Sequence, residues 1–219
     1  MTVEIYWGSG SPFAWSVMLA MEVKGVAYES HLLSFSDGDL KTSEYLAINP
    51  RSKVPAIRDG DFTLSESNAI LAWLESKHPT PALFGSTADE TGAIWRAVLE
   101  HAAYFQHHTH AISGAVFYKK MDEKRDEVRE SAKAVGEEMD RYEAALSASD
   151  WLVGSAMSAA DPVAYPHFEL FFRLMARDDV KPEKLGFESG WDAYPALSAW
   201  RSRIQMIPGY DNTYPPHWK

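Results

Sequence analysis

Gly8-Ser9-Gly10-Ser11-Pro12-Phe13 is the stretch that decides how this chain is read. It lies between Val3-Glu4-Ile5-Tyr6-Trp7 and Trp15-Ser16-Val17-Met18-Leu19-Ala20-Met21. The pattern predicts a strand that turns sharply and opens a helix. Serine is a preferred N-cap, and proline is favoured at the first helical position. Gly25, directly after Lys24, predicts the helix stop. The Ser11 hydroxyl therefore stands at the positive end of a helix, where free N–H groups favour an anion. Such a hydroxyl either caps the helix and does nothing more, or steadies a thiolate that a substrate brings.

Working outward, residues 12–24 predict a helix with an apolar face at Phe13, Val17, Ala20 and Met21. Tyr28 to Leu33 predicts a second strand, and Leu40 to Leu46 a short helix. Val54-Pro55-Ala56-Ile57 and Phe62-Thr63-Leu64 flank the turn Asp59-Gly60-Asp61 as a hairpin. Ser65 or Ser67 is placed to cap a helix carrying Ala69, Ile70, Trp73 and Leu74. The order βαβ, connector, ββα ends at Pro79-Thr80-Pro81. Beyond Asp89 only helical patterns follow. Ala93 to Lys120 predicts one helix, or two with a break near Ser113-Gly114. Lys124 to Ser147 and Pro195 to Ile207 predict two more. Ser158-Ala159-Ala160-Asp161 resembles a capping box, with Asp in place of Glu or Gln, opening a helix whose first turns Pro162 and Pro166 should disturb. The expected fold is α/β followed by all-α, with a first domain at 1–80, a linker at 81–88 and a helical domain at 89–219.

Composition narrows the function classes. With 46% hydrophobic residues in 219, a packed core is expected and disorder is not. The net charge of −10, from 31 acidic and 21 basic residues, disfavours nucleic acid as a partner. Lys41, Arg51, Lys53 and Arg58 nonetheless cluster in the first domain, where they either compensate an anion locally or are ordinary surface charge, the latter being the reading for Arg58. No apolar run reaches the ~20 residues of a membrane span, and no leader pattern opens the chain, so a cytoplasmic protein without a membrane partner is expected. The chain has no cysteine. Disulfides, thiolate metal sites and a cysteine nucleophile are thereby excluded, and any sulfur chemistry must use a substrate's thiol.

Taken together, these segments resemble the soluble glutathione transferases, in particular serine-type, bacterial-like members. The resemblance covers nearly the whole chain. It is carried by Ser11-Pro12-Phe13, by Asn49-Pro50-Arg51-Ser52-Lys53-Val54-Pro55-Ala56-Ile57, by Asp59-Gly60-Asp61, by Ser65-Glu66-Ser67-Asn68-Ala69-Ile70 and by Ser158 to Asp161. It implies a thioredoxin-like domain joined to a helical domain, assembled as a homodimer, with glutathione as co-substrate and no metal. Trp73 and the 95–118 helix are candidates for the dimer interface.

The resemblance also implies roles. The Val54-Pro55 bond is expected to be cis, with the Val54 backbone pairing the cysteinyl backbone of glutathione like an added strand. Glu66 and Ser67, at a helix start, would hold the γ-glutamyl ammonium and carboxylate. Phe13 would line the tripeptide, while Lys41 and Lys53 would meet its glycine end. Ser11 is the first candidate for activating the thiol, with Ser9 and Tyr6 as alternatives. Related activities on such a site are isomerisation, dehalogenation, ether cleavage and peroxide reduction, or ligand binding without turnover.

One hydroxyl suffices in magnitude. Lowering a thiol pKa from about 8.5 to about 6.5 requires ~2.7 kcal/mol in favour of the anion. A hydrogen bond to a charged group supplies ~1.5–3 kcal/mol and a helix terminus ~0.3–1 kcal/mol more. The family places the electrophile between the loop after the first strand and the first long helix of the second domain. Tyr104, Phe105, His108 and Phe117 are the candidates to line it. His107-His108-Thr109-His110 lacks any recognisable zinc spacing, so its histidines are expected to be surface or lining residues. Phe168, Phe171 and Phe172 are expected in the core.

Overall fold

A computed structural model describes residues 2–219. The sheet grows from strand β1 (Val3–Trp7), whose Ile5 is fully buried while Glu4 points to the opposite face. Helix α1 (Pro12–Val23) follows and returns the chain to β2 (Tyr28–Leu32), which pairs parallel to β1. A 3-10 turn at Asp39–Lys41 and helix α2 (Ser43–Ile48) lead to the hairpin of β3 (Ala56–Asp59) and β4 (Phe62–Ser65), then helix α3 (Ser67–Lys77). The sheet order is β2-β1-β3-β4, with β3 antiparallel to both its neighbours. β3 begins at Ala56 and not Val54, because Pro55 has no N–H to give to a ladder.

Helix α1 corrects the expectation of a single apolar face. Every residue from Ala14 to Met21 is buried. The helix lies against β1 and α3 and also against α9 (Tyr210–Thr213), so no side is left to water. The last contact belongs to a compact unit made of residues through Phe84 together with Ile204–Lys219; Gly85–Arg203 form the other unit. The expected helical domain at 89–219 is thus cut short. Its last residues return to the first unit because Trp15 needs partners there. The Trp15 indole N–H donates to Thr213 Oγ1 at 2.8 Å, and its ring packs against Tyr210, Tyr214 and Trp218.

The second unit is helical throughout. Helix α4 (Ala88–Glu100) opens with a complete Thr87–Glu90 capping box. It passes without a break into a π-helical segment, His101–Gln106, and then into α5 (His107–Phe117). No interruption occurs at Ser113-Gly114; the irregularity lies earlier, at the π segment. Helices α6 (Arg125–Ala148), α7 (Ala160–Met175) and α8 (Pro195–Gln205) complete the unit, with α8 running past its boundary. Phe168 and Phe171 are buried as expected, beside Phe105, Tyr165 and Trp200. Helix α7 runs through both prolines. Pro162 falls in the first turn, where no N–H is required, and Pro166 removes only one bond from a helix buried along almost its whole length. The Ser158–Asp161 motif forms half a capping box: Asp161 accepts the Ser158 N–H at 2.8 Å, but the Ser158 hydroxyl donates to that same carboxylate.

Candidate active site

The register of the sheet brings the predicted segments to one end. Trp7 pairs with Leu32, Tyr6 with Ala56, and Ala56 with Ser65. The turn after β1 (residues 8–11), the loop before β3 (53–55) and the start of α3 (66–67) therefore leave the sheet side by side. The loop after β2, which carries Lys41, leaves at the same end. Strands are ~4.8 Å apart, so β1 and β4 are separated by roughly 10 Å, the span of an extended tripeptide. No single segment carries this convergence; the pairing creates it.

Each segment is held by local chemistry. In the first turn, Ser11 is the N-cap of α1 and its Oγ accepts the Ala14 N–H at 3.3 Å. A hydroxyl has one proton to donate, and among the described residues the Ser11 proton has no acceptor. Gly10 sits at φ +81°, a left-handed conformation that a larger residue enters only with strain. A Cβ at Gly8 would meet the Phe35 ring at 2.4 Å, and one at Gly10 would meet His217 at 2.8 Å. Ser9 Oγ lies 2.5 Å from His217 Nδ1. Sequence reasoning missed Phe35 and His217, since only the folded chain brings them to the turn.

The second loop is fixed from beneath. The Lys53 carbonyl accepts from Tyr45 Oη at 2.5 Å and from Asn49 Nδ2 at 2.6 Å, and Ser52 Oγ donates to the Leu40 carbonyl at 2.5 Å. Lys53 itself stays exposed, like Lys41 and Arg51. The Val54–Pro55 bond is cis, and so is Thr80–Pro81. Val54 packs beside the small cluster of Tyr6, Tyr45 and Ala56.

At α3, neither Ser65 nor Ser67 caps the helix. Glu66 is the N-cap, at φ +70° and ψ 112°, and makes no side-chain cap bond. That backbone costs about 1–3 kcal/mol and persists only where its surroundings impose it. Here the Ser65–Ala56 pair fixes one side, and the Ile70 N–H bond to the Glu66 carbonyl at 3.0 Å fixes the other. The Ser67 hydroxyl, at the first helical position, is not used up by capping. Strain at a positively poised helix end is a mark of functional geometry.

Tyr6 does not fit an activating role. Its hydroxyl donates to Glu4 Oε2 at 2.7 Å, and its ring is stacked on His31. Burial, reinforced by the Glu4 carboxylate, pushes its pKa up to about 12. Glu4 in turn is held down to about 2, first by the Arg58 guanidinium at 2.6 Å and then by Tyr6. Tyr6 is thus a structural partner of Glu4.

The candidate electrophile residues separate. Phe105 is 0% exposed and packs on Phe168 at 4.5 Å between ring centres. It is a core residue of the helical unit and lines nothing accessible. Tyr104, 54% exposed, and His108, half-buried, lie four apart along the helix. Phe117 follows His108 by nine residues, two and a half turns of α5, and so faces the other way. His107 and His110 are exposed, and among the described residues no group of three His, Asp or Glu side chains is arranged to hold a metal ion.

The helical unit also hides a polar cluster that the sequence did not announce. His167 Nδ1 lies 2.9 Å from the Val163 carbonyl, so Nδ1 carries the proton and Nε2 accepts from Gln106 Nε2 at 2.6 Å. His101 Nδ1 meets Tyr142 Oη at 2.9 Å, and the two imidazoles are 5.0 Å apart. Burial depresses both: His167 falls to about 4 and His101 well below the ordinary range.

Known proteins place this arrangement. Residues 10–77 match the family described as "Glutathione S-transferase, N-terminal domain", and residues 107–208 match "Glutathione S-transferase, C-terminal domain". The chain is 30% identical over 184 residues to glutathione S-transferase F10 of Arabidopsis thaliana, covering 81% of this chain and 85% of that protein. It is 33% identical over 213 residues to glutathione S-transferase 4 of Zea mays, covering 94% and 89%. Among solved structures it resembles a glutathione S-transferase from the Antarctic clam Laternula elliptica at TM-score 0.81 and 26% identity, over 100% of this chain and 94% of that one. Poplar glutathione transferase F1 shares the fold at TM-score 0.80 and 21% identity, over 97% and 96%. With this sheet register, this helical unit and these relatives, the chain belongs to the glutathione S-transferase family.

Proposed function

We propose that this glutathione transferase activates the thiol of glutathione with Ser11 and directs the thiolate at a hydrophobic electrophile. The observation that carries the reading is the convergence of Ser11, Val54 and Glu66-Ser67 at one end of the sheet through the pairs Tyr6–Ala56 and Ala56–Ser65. The Ser11 hydroxyl accepts one N–H and keeps its proton for an anion at the α1 terminus. The tripeptide backbone pairs with Val54, its γ-glutamyl group meets Glu66 and Ser67, and its glycine carboxylate meets Lys53 and Lys41. Phe13, 37% exposed and two residues from Ser11, covers the cysteinyl side. Within the helical unit, Tyr104 and His108 remain the candidates to contact the electrophile. The protein forms no covalent bond: the thiol gives its proton to solvent, the glutathione sulfur attacks the electrophilic carbon, and the leaving group departs with the bonding electrons. The enzyme acts as a homodimer in the cytoplasm.

The test compares the parent with Ser11→Ala. Glutathione is expected to raise the melting temperature of both, while kcat/KM for conjugation of an aryl halide falls tenfold or more, about 1.4 kcal/mol of transition-state stabilisation. Equal turnover in the two proteins would remove Ser11 from the mechanism. No melting shift in the parent would remove glutathione.

A further inference from the structure

Two serines flank Gly10 in the turn proposed to face the thiol, and they are not equivalent. Ser11 accepts a backbone N–H and keeps its proton. Ser9 Oγ is 2.5 Å from an imidazole nitrogen supplied from the far end of the chain, His217 Nδ1. His217 lies in the 3-10 turn Pro216–Trp218, anchored by Trp218 against Trp15 at 5.6 Å between ring centres and against Tyr214. The Trp15 indole in turn donates to Thr213. The same imidazole would collide with any Cβ at Gly10, so the turn and the tail fit each other closely.

We propose that His217 is a positioning residue that selects between the two serines. The Ser9 hydroxyl donates to His217 Nδ1, which withdraws Ser9 from the thiol and holds the Gly8–Ser11 turn so that Ser11 alone presents its proton. This rests on the Ser11 reading above and adds a claim of its own: the C-terminal tail belongs to the active-site turn. Without the imidazole, the Ser9 hydroxyl is released two residues from Ser11, and the glycines on either side of it let it take over the thiol.

A double-mutant cycle tests this. In the parent, Ser11→Ala is expected to lower kcat tenfold or more. In the His217→Ala background the same substitution is expected to cost less than threefold, because Ser9 substitutes. Adding Ser9→Ala to that double variant is expected to restore the full loss. His217→Leu, which keeps bulk against Trp218 but has no acceptor, is expected to behave like His217→Ala. His217→Asn, whose amide oxygen stands near the place of Nδ1, is expected to behave like the parent. A merely structural role would lower all activities together and would not change the cost of Ser11→Ala between backgrounds. Should Ser11→Ala cost the same tenfold with and without His217, the selection by His217 is overturned and the Ser11 reading stands. Should Ser11→Ala cost nothing in the parent, both fall together. Glutathione-induced melting shifts, measured on every variant, show separately that the tripeptide still binds.

Discussion

Lys24 is a charged side chain with no exposed surface of its own. Its ammonium donates to the His78 and Pro81 carbonyls at 2.7 Å each and meets Glu75 Oε2 at 2.7 Å. Glu75 also accepts the Leu83 and Phe84 N–H groups. A sequence reader sees only a lysine beside a glycine stop. Breaking a buried ion pair leaves the other charge uncompensated, so Lys24→Met is expected to cost about 3 kcal/mol. The urea midpoint checks it: an unchanged midpoint would mean that water reaches Glu75 freely. The buried histidines make a second prediction at this scale. His167 titrates near 4 in the folded protein and near 6.5 when unfolded, so below 6.5 the unfolded chain binds the additional proton. Stability is complete above pH 6.5 and falls as pH drops toward 4, by about 1.4 kcal/mol per pH unit for each histidine that stays neutral. Glu4, held near 2, contributes its own loss only below the ordinary carboxylate range. Denaturation midpoints between pH 6.5 and 4.5 should slope accordingly; a flat profile would show that His101 and His167 charge without penalty.

Among the elements, α1, α3 and the hairpin were legible because their signals are local. Ser11-Pro12 opens α1 where capping chemistry places it, and α1 ends at Val23 with Lys24 as its cap, just before Gly25. Asp59-Gly60-Asp61 turns the hairpin. The start of α3 departs from its local pattern: a serine ahead of an apolar helix resembles a cap, whereas a strained Glu66 takes that place and leaves Ser67 inside. The π segment had no readable signal either: its residues suit an α-helix equally well, and its His101 and Phe105 are buried in the unit's core. At α7, Asp161 is buried and accepts from Ser158 N–H, Leu152 N–H and Trp200 Nε1, while burial pushes its pKa up against those bonds. Asp161→Asn keeps one acceptor oxygen where the carboxylate had two, so part of this set is left unpaired. A loss of about 2–3 kcal/mol is expected in chemical denaturation, and a shift within error would mean that the loop before α7 is not held by this side chain.

For the whole molecule, the informative surprise is the tail. Trp15 is buried by Tyr210, Thr213, Tyr214 and Trp218, all supplied from beyond the helical unit. A protein ending at Gly209 would expose that indole and remove Thr213, the acceptor of its N–H. Removing one buried aromatic neighbour costs about 3 kcal/mol or more, so such a truncation is expected to melt well below the parent and to aggregate. Scanning calorimetry checks this, and a melting temperature within a degree or two of the parent's would show that the tail is ornamental.

The sequence by itself determined the order of elements, the family and the segments proposed to meet glutathione, because caps, turns and apolar periodicity act over a few residues. Only the tertiary structure decided which groups are spoken for: that Tyr6 is tied to Glu4, that Phe105 is core, that Ser67 is released from capping and that Ser9 answers to His217. Those outcomes depend on contacts between residues as much as 208 positions apart, and no local pattern records which of two similar hydroxyls a distant imidazole will reach.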